Sequence, residues 1–537
     1  MKDDLLSRED VEVLIAEGNL VVIYHDRALK LNNWITKHPG GDKAVLHMVG
    51  RDASDEIDVY HSDKTLKSLP AFQIGRVQLP WRNFLPPIQG GTFRTRAELD
   101  SDEGVSLSDP DQRIPRWEKT DMKKSTRWTK QEQRTHEIIE NFDRKLVESD
   151  REKYPPVDLD TQTNIISKFR DLHKELREEG FFQCNYWGYV REASRISTLF
   201  ILARVFFTWR YQSYGTIWLT LSAICLGLAW HQLTFIAHDA GHLGITHDYQ
   251  IDNIVGVIIA DYIGGLSIGW WKRNHNVHHF VTNDPVHDPD IQHLPFFAVS
   301  SKFFGNIKST YYDRVLDYDI FAKTLLKVQN YMYYPILCFG RFNLYRLSWE
   351  YLILGLGPRK GKGAWLRYFE LVGMAFFFYW FFYRVVTCSL HSASERWLYV
   401  MVSHIVTMPL HVQITLSHFG MSTSDLGIDE SFAQRQIRTT MDVDCPPWLD
   451  YIHGGLQFQA IHHLFPRMPR HNLRAAQPKV IKFCDDLGLH YTIYGFTKGN
   501  KVVISKLADV AKQARILADC NAFCQKEMLS ELGIHKT

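Results

Sequence analysis

The stretch IWLTLSAICLGLAWHQLTFIAHDAGH, from Ile217 to His242, sets the class of this chain. Ile217–Ile236 carries no Asp, Glu, Lys or Arg and matches the roughly 20 apolar residues that a helix needs to cross a bilayer. It then runs straight into His238-Asp239-Ala240-Gly241-His242, with histidines at i and i+4. On a helix that spacing puts both imidazoles on one face. An apolar span ending in paired imidazoles predicts a membrane protein with metal ligands at the span's end.

Working outward, the chain offers further apolar segments. Ile196–Trp209 is short and interrupted by Arg204. Ile254–Trp271 is apolar but holds Asp261 and several glycines, which predicts an interfacial or re-entrant helix. Glu370–Cys388 and Trp397–Leu416 form a second apolar pair, and Trp209, Trp230, Trp380 and Trp397 supply aromatic ends. Buried helices of a large soluble protein are the weaker alternative. The loop between the pairs is basic (Lys302, Lys308, Lys323, Lys327, Arg341, Arg346, Arg359, Lys360, Lys362), and such loops stay cytosolic. The expectation is about four transmembrane helices with both termini in the cytosol. The opening MKDDLLSRED has no apolar signal-peptide core.

Two more histidine boxes follow. His275-Asn276-Val277-His278-His279 and Gln459-Ala460-Ile461-His462-His463 share one spacing, with Gln459 in place of the first histidine. Many imidazole donors suit a redox metal such as iron better than magnesium or calcium. His418, at the end of the fourth expected span, is well placed as a further ligand. His231, His247, His287, His293, His411 and His453 read as supporting or surface residues.

The first third is different. Residues 1–80 read as a small α+β unit containing Trp34-Ile35-Thr36-Lys37-His38-Pro39-Gly40-Gly41 and a second histidine, His61. Two histidines on separate short helices can clamp a haem from opposite faces, and the Pro-Gly-Gly turn lets backbone approach the ring. His47, between them, is the bystander. Residues 81–156 read as a charged linker, with Gly90-Gly91 and Leu99–Arg113 as its clearest parts and an exposed charged helix over Lys130–Lys153. Leu159–Gly180 carries Ile165, Ile166, Phe169, Leu172 and Leu176 at helical spacing, an amphipathic helix opening a membrane domain over residues 157–537.

Composition bounds the rest. Among 537 residues, 62 Lys and Arg face 60 Asp and Glu for a net charge of +2. That balance gives no case for nucleic-acid binding. Eight cysteines form no C-x-x-C pair. No G-x-G-x-x-G fingerprint is present, so reducing equivalents from a dinucleotide must come through another protein.

These motifs resemble known families. Residues 5–80, including Gly50-Arg51-Asp52-Ala53-Ser54, resemble a cytochrome b5 domain, which implies haem b with His38 and His61 as axial ligands. The three boxes resemble those of the membrane fatty-acid desaturase and hydroxylase superfamily. Gln459 and the fused haem unit are similar to the front-end branch. Ile461, where most members carry glutamate, resembles fungal sphingolipid Δ8 desaturases, which act on the long-chain base of ceramide. The resemblance implies an oxidoreductase with two non-haem iron ions and O2 as co-substrate. Its ligands would be His238, His242, His275, His278, His279, His462 and His463, with His418 and Gln459 as further candidates. Asp288, Asp290 and Asp442 are candidates to orient them in place of the missing glutamate. It also implies a lipid substrate, NADH-cytochrome b5 reductase as electron donor, and the endoplasmic reticulum membrane. The alternatives are a front-end fatty-acyl desaturase, a lipid hydroxylase, a non-catalytic haem-binding membrane protein and a zinc transporter. The last would need ionisable residues within several spans, whereas these boxes lie at span ends.

Overall fold

The computed structural model describes residues 3–101 and 130–531, so part of the Leu99–Arg113 stretch lies outside the described residues. The N-terminal unit is built on a four-stranded sheet in the order Leu5–Leu6, Gln73–Val77, Arg27–Lys30, Val21–Tyr24. The first pair is parallel and the others antiparallel. The Arg8–Ala16 helix begins with a reciprocal Ser7–Asp10 cap, which satisfies two otherwise orphaned backbone donors. Packing in this unit does not stop at residue 80. Trp81 and Phe84 are buried among Val11, Ile15, Val21 and Ile23. Trp81 donates from Nε1 to the Gly50 carbonyl at 3.0 Å, and Arg94 makes a two-pronged ion pair with Glu12 at 2.9 and 2.8 Å. Two aromatic rings and a charge pair in this segment return it to the core, where composition alone suggested a linker.

The Lys130–Lys153 helix is docked rather than exposed. Ile138 and Ile139 pack on the apolar cluster around Phe303 and Leu416. Near its end Asp150 accepts from Arg438, which is 1 % exposed, at 3.2 Å, while Glu430 takes the same guanidinium through two 2.8 Å bonds. The Leu159–Glu178 helix is capped by Asp158, which accepts from the Thr161 amide. It buries Ile165, Phe169, Leu172 and Leu176, the apolar stripe its spacing predicts, against Phe465 and Phe483.

Among the described residues, three helices are long and apolar enough to cross a membrane: Gly215–Gly241, Leu366–Cys388 and Ala393–Phe419. A fourth candidate is a bent pair, Tyr249–Ile263 and Ile268–Phe280, turned by 115°. The interfacial or re-entrant helix expected over Ile254–Trp271 takes the form of this bent pair, whose break falls inside that stretch. Gly265 adopts φ +70°, which favours glycine, and Ser267 then caps a new helix by accepting from the Trp270 amide. The short apolar segment Ile196–Trp209 proves to be the end of a longer helix, Tyr186–Trp209. It is absent from the candidate spans because Arg191, Glu192, Arg195 and Arg204 interrupt it. It nevertheless runs antiparallel to the Gly215–Gly241 helix along its whole length. Tyr189 near one end reaches Asp239, Ser222 in the middle donates to the Ala203 carbonyl at 2.7 Å, and Trp209 at the other end packs on Trp218.

Breaking the Arg438 network should leave Glu430 buried without its cation and Asp150 with only the Ser422 and Ser424 hydroxyls. Loss of one partner of such a set costs about 3–5 kcal/mol. Arg438→Met is expected to lower the thermal unfolding midpoint of the detergent-solubilised protein markedly, and an unchanged midpoint would count against this network as a clamp on the linker helix.

Candidate metal centre

Each histidine box sits on its own helix, and the helices aim them at one volume. The Gly215–Gly241 helix brings His238, with His242 as the residue after its last turn. Gly241 is needed there, because a Cβ at that position would collide with the Trp271 ring of the second-box helix. The Ile268–Phe280 helix brings His275, His278 and His279. The Gln459–Leu464 helix brings His462 and His463. His418 lies in the last turn of the Met408–Phe419 helix.

The imidazoles form two adjoining groups. His238, His242, His275 and His462 present nitrogens that all lie within 4.8 Å of one another, and so do His278, His418 and His463. His279 stands between the groups: its Nε2 is 3.0 Å from His275 Nε2, and its ring stacks on His463 at 4.0 Å. Imidazole–metal bonds of about 2.0–2.1 Å place two ligand nitrogens on one ion up to roughly 4 Å apart, so both groups lie close to the spacing of ligands on a single ion. The structure thus joins His418 to the box histidines.

The unpaired atoms make the same point. His238 Nε2, His242 Nε2, His462 Nε2, His463 Nε2, His279 Nδ1 and His418 Nδ1 are buried without a hydrogen-bond partner among the described residues. Such an atom costs about 1–3 kcal/mol when left unmet. Burial, together with the neighbouring imidazoles, holds His462 and His463 well below the ordinary histidine range. They are therefore neutral, with lone pairs free for a metal.

Outer partners fix the rings. Asp288, fully buried, faces His278 Nδ1 at 2.8 Å and also accepts from the Asn283 and Asp290 amides. A carboxylate only accepts, so that nitrogen carries a hydrogen and Nε2 is the one available to the cluster. Gln436 serves His463 in the same way. Its Nε2 donates to the His279 carbonyl at 2.7 Å, which turns Oε1 toward His463 Nδ1 at 2.9 Å. Asp290 lies 3.6 Å from His275 Nδ1. Asp442 has a different part: it accepts from the Ala460 amide at 2.8 Å and so anchors the start of the third-box helix. Ile461 points into the apolar cluster with Phe169 and Phe465, with no exposed surface. Gln459 is buried, and its Oε1 has no hydrogen-bond partner among the described residues. Sequence reasoning missed Gln436, which lies 26 or more residues from any box histidine in the third box and carries no local signal.

The haem pair is also brought together. The His38 and His61 ring centroids are 6.1 Å apart. His38 Nδ1 faces the Gly41 carbonyl at 2.7 Å and His61 Nδ1 the Ile57 carbonyl at 2.9 Å. Carbonyls only accept, so both Nε2 atoms are left as lone pairs. Burial lowers His38 and pushes His61 down to about 4. Two neutral imidazoles at this separation fit opposite faces of a haem iron. Gly41, at φ +89°, lets the turn between them close.

Comparison with known proteins places the chain. It belongs to the fatty acid desaturase family, whose profile matches residues 215–495, while the profile of the cytochrome b5-like haem/steroid binding domain matches residues 7–78. The protein is thus a desaturase with a cytochrome b5-like domain fused to it. Over nearly its full length it is similar to proteins named Delta 8-(E)-sphingolipid desaturase. The one from Komagataella phaffii is 55% identical over 96% of this chain and 95% of its own. The one from Emericella nidulans is 52% identical over 98% of each. An acyl-lipid (9-3)-desaturase of Borago officinalis is 40% identical, but over only 55% of this chain and 64% of its own.

Removing an outer partner should cost about 10–100-fold in metal affinity or activity. Asp288→Ala and Gln436→Ala should therefore purify with the haem band intact and a reduced content of non-haem metal. His418→Ala should do the same and make almost no product. Full metal occupancy and normal product in His418→Ala would remove that residue from the site.

Proposed function

We propose that this protein is a membrane-bound, oxygen-dependent desaturase that introduces a Δ8 double bond into the long-chain base of ceramide, drawing electrons through its own haem domain. The observation that carries the reading is the convergence of His238, His242, His275, His278, His279, His418, His462 and His463 into two adjoining groups, six of them with a buried nitrogen that has no hydrogen-bond partner among the described residues. A pair of iron ions held there would supply the O2 activation and removal of two hydrogens from adjacent carbons that define the reaction.

The chain's own residues supply the rest. His238, His242, His275 and His462 would hold one ion and His278, His418 and His463 the other, with His279 next to both. Asp288 and Gln436 hold His278 and His463 in the tautomer that ligates. His38 and His61 would hold haem b. In this reading NADH-cytochrome b5 reductase is a separate partner. The chain crosses the endoplasmic reticulum membrane several times and keeps both termini cytosolic. Support for the sphingolipid substrate comes from the end-to-end likeness to the Delta 8-(E)-sphingolipid desaturases, which is closer and longer than that to the acyl-lipid enzyme.

Expression in a host lacking this activity, followed by lipid mass spectrometry, tests the reading. The long-chain base should become two hydrogens lighter while acyl chains stay unchanged. A base one oxygen heavier would mean a hydroxylase, and unsaturation confined to acyl chains would mean a fatty-acyl desaturase. His38→Ala should lose the haem band and the product together while retaining non-haem metal, because the ring contact and hydrogen bond of His38 are made within the haem unit, to His61 and Gly41.

A further inference from the structure

One helix end belongs to both sites. The Ile268–Phe280 helix delivers His279 to the histidine cluster, and the next residue, Phe280, packs with Leu31, Met48, Ala53 and Ile57 of the haem unit. Tyr60, the neighbour of His61, stacks on Phe280 with ring centroids 5.0 Å apart. The same ring meets the His279 ring edge-on at 5.8 Å. The Tyr60 hydroxyl is buried with no hydrogen-bond partner among the described residues, so the ring rather than the hydroxyl makes these contacts. On the His38 side, Asn276 donates to the Gly40 carbonyl at 3.1 Å and Arg273 meets Asp42 at 3.3 Å. A Cβ on Gly40 would press on both His38 and Asn276. The two loops carrying the haem histidines thus both rest on the second-box helix.

We propose that Tyr60 is the bridge through which electrons leave the haem for the histidine cluster, passing from the His61 side of the haem to His279. The proposal rests on the reading above that haem and non-haem iron occupy these sites. His279 suits the receiving role because it adjoins one group through His275 and the other through His463. Each transfer oxidises one ferrous haem to ferric and delivers one electron. Two such electrons, two protons from solvent and the two hydrogens removed from the lipid convert one O2 into two waters. Asn276 holds the haem unit in place and is a positioning residue.

The test uses the full chain in detergent, loaded with haem and iron. Its haem is reduced chemically and mixed with O2 and a ceramide, and loss of ferrous haem absorbance is timed. In the wild type, chelation of the non-haem iron should slow haem reoxidation. If it does not, the donor reading of the haem domain fails and the bridge with it. Tyr60→Leu should keep the haem spectrum, midpoint potential and iron content but reoxidise more slowly by ~10-fold or more, the scale seen for groups that support metal ligands. Tyr60→Phe, which keeps the ring, should match the wild type. Should Tyr60→Leu fail to hold haem, Phe280→Leu removes the ring on which Tyr60 stacks and should show the same slowing. Wild-type reoxidation in a haem-loaded Tyr60→Leu variant would overturn the proposal, most directly if Asn276→Ala were slow instead, which would shift the route to the Gly40 contact.

Discussion

Everything in the membrane part answers to one constraint: an imidazole nitrogen buried away from water must have a partner. The cluster brings together more bare nitrogens than hydrogen bonding within the protein can satisfy. Helices from distant parts of the chain converge so that these atoms face each other. The second nitrogens of His278 and His463 are tied to Asp288 and Gln436, so the bare ones keep their direction. The close approach of the first and second boxes at Gly241 and Trp271, and the anchoring of the third-box helix by Asp442, serve the same convergence.

How much of this could be read from the sequence depended on whether the signal was local. The box spacings and the His-Pro-Gly-Gly turn are local, and the structure brings their residues together as the spacing implies. His418 could be suspected because it ends an apolar helix. Gln436 could not, since a glutamine in a polar octapeptide acquires meaning only when the fold lays it beside His463. Ile461 was legible as a departure from the family pattern, but its effect was not: the side chain joins the apolar core, and the orienting work falls to residues elsewhere. Of the carboxylates singled out for that work, Asp288 does it, whereas Asp442 acts on backbone.

The boundary of the haem unit shows the opposite error. The prolines and tryptophan of Leu79–Pro87 read as the exit from the unit, yet a few large side chains carry it further. Trp81, Phe84 and Arg94 fold that segment back onto the unit. The Lys130–Lys153 helix likewise looks soluble by its average and is fixed by single residues such as Asp150. The haem unit is then held to the rest by Lys43 on Asp313 at 2.8 Å and Arg170 on Asp55 at 2.6 Å, in addition to the contacts along the second-box helix. A fused donor held in this way has no need to find its acceptor by diffusion.

The antiparallel helix Tyr186–Trp209 has a consequence of parity. The haem unit touches the second box, so the two share one side of any membrane the chain spans. A chain that leaves a side and returns to it crosses an even number of times. Between the haem unit and His238, the Gly215–Gly241 helix supplies one crossing and ends at the cluster. Tyr186–Trp209, lying alongside it from end to end, is the segment that can supply the other. Arg204 and the charges near its start would then be carried across by pairing with a neighbouring helix rather than by hydropathy.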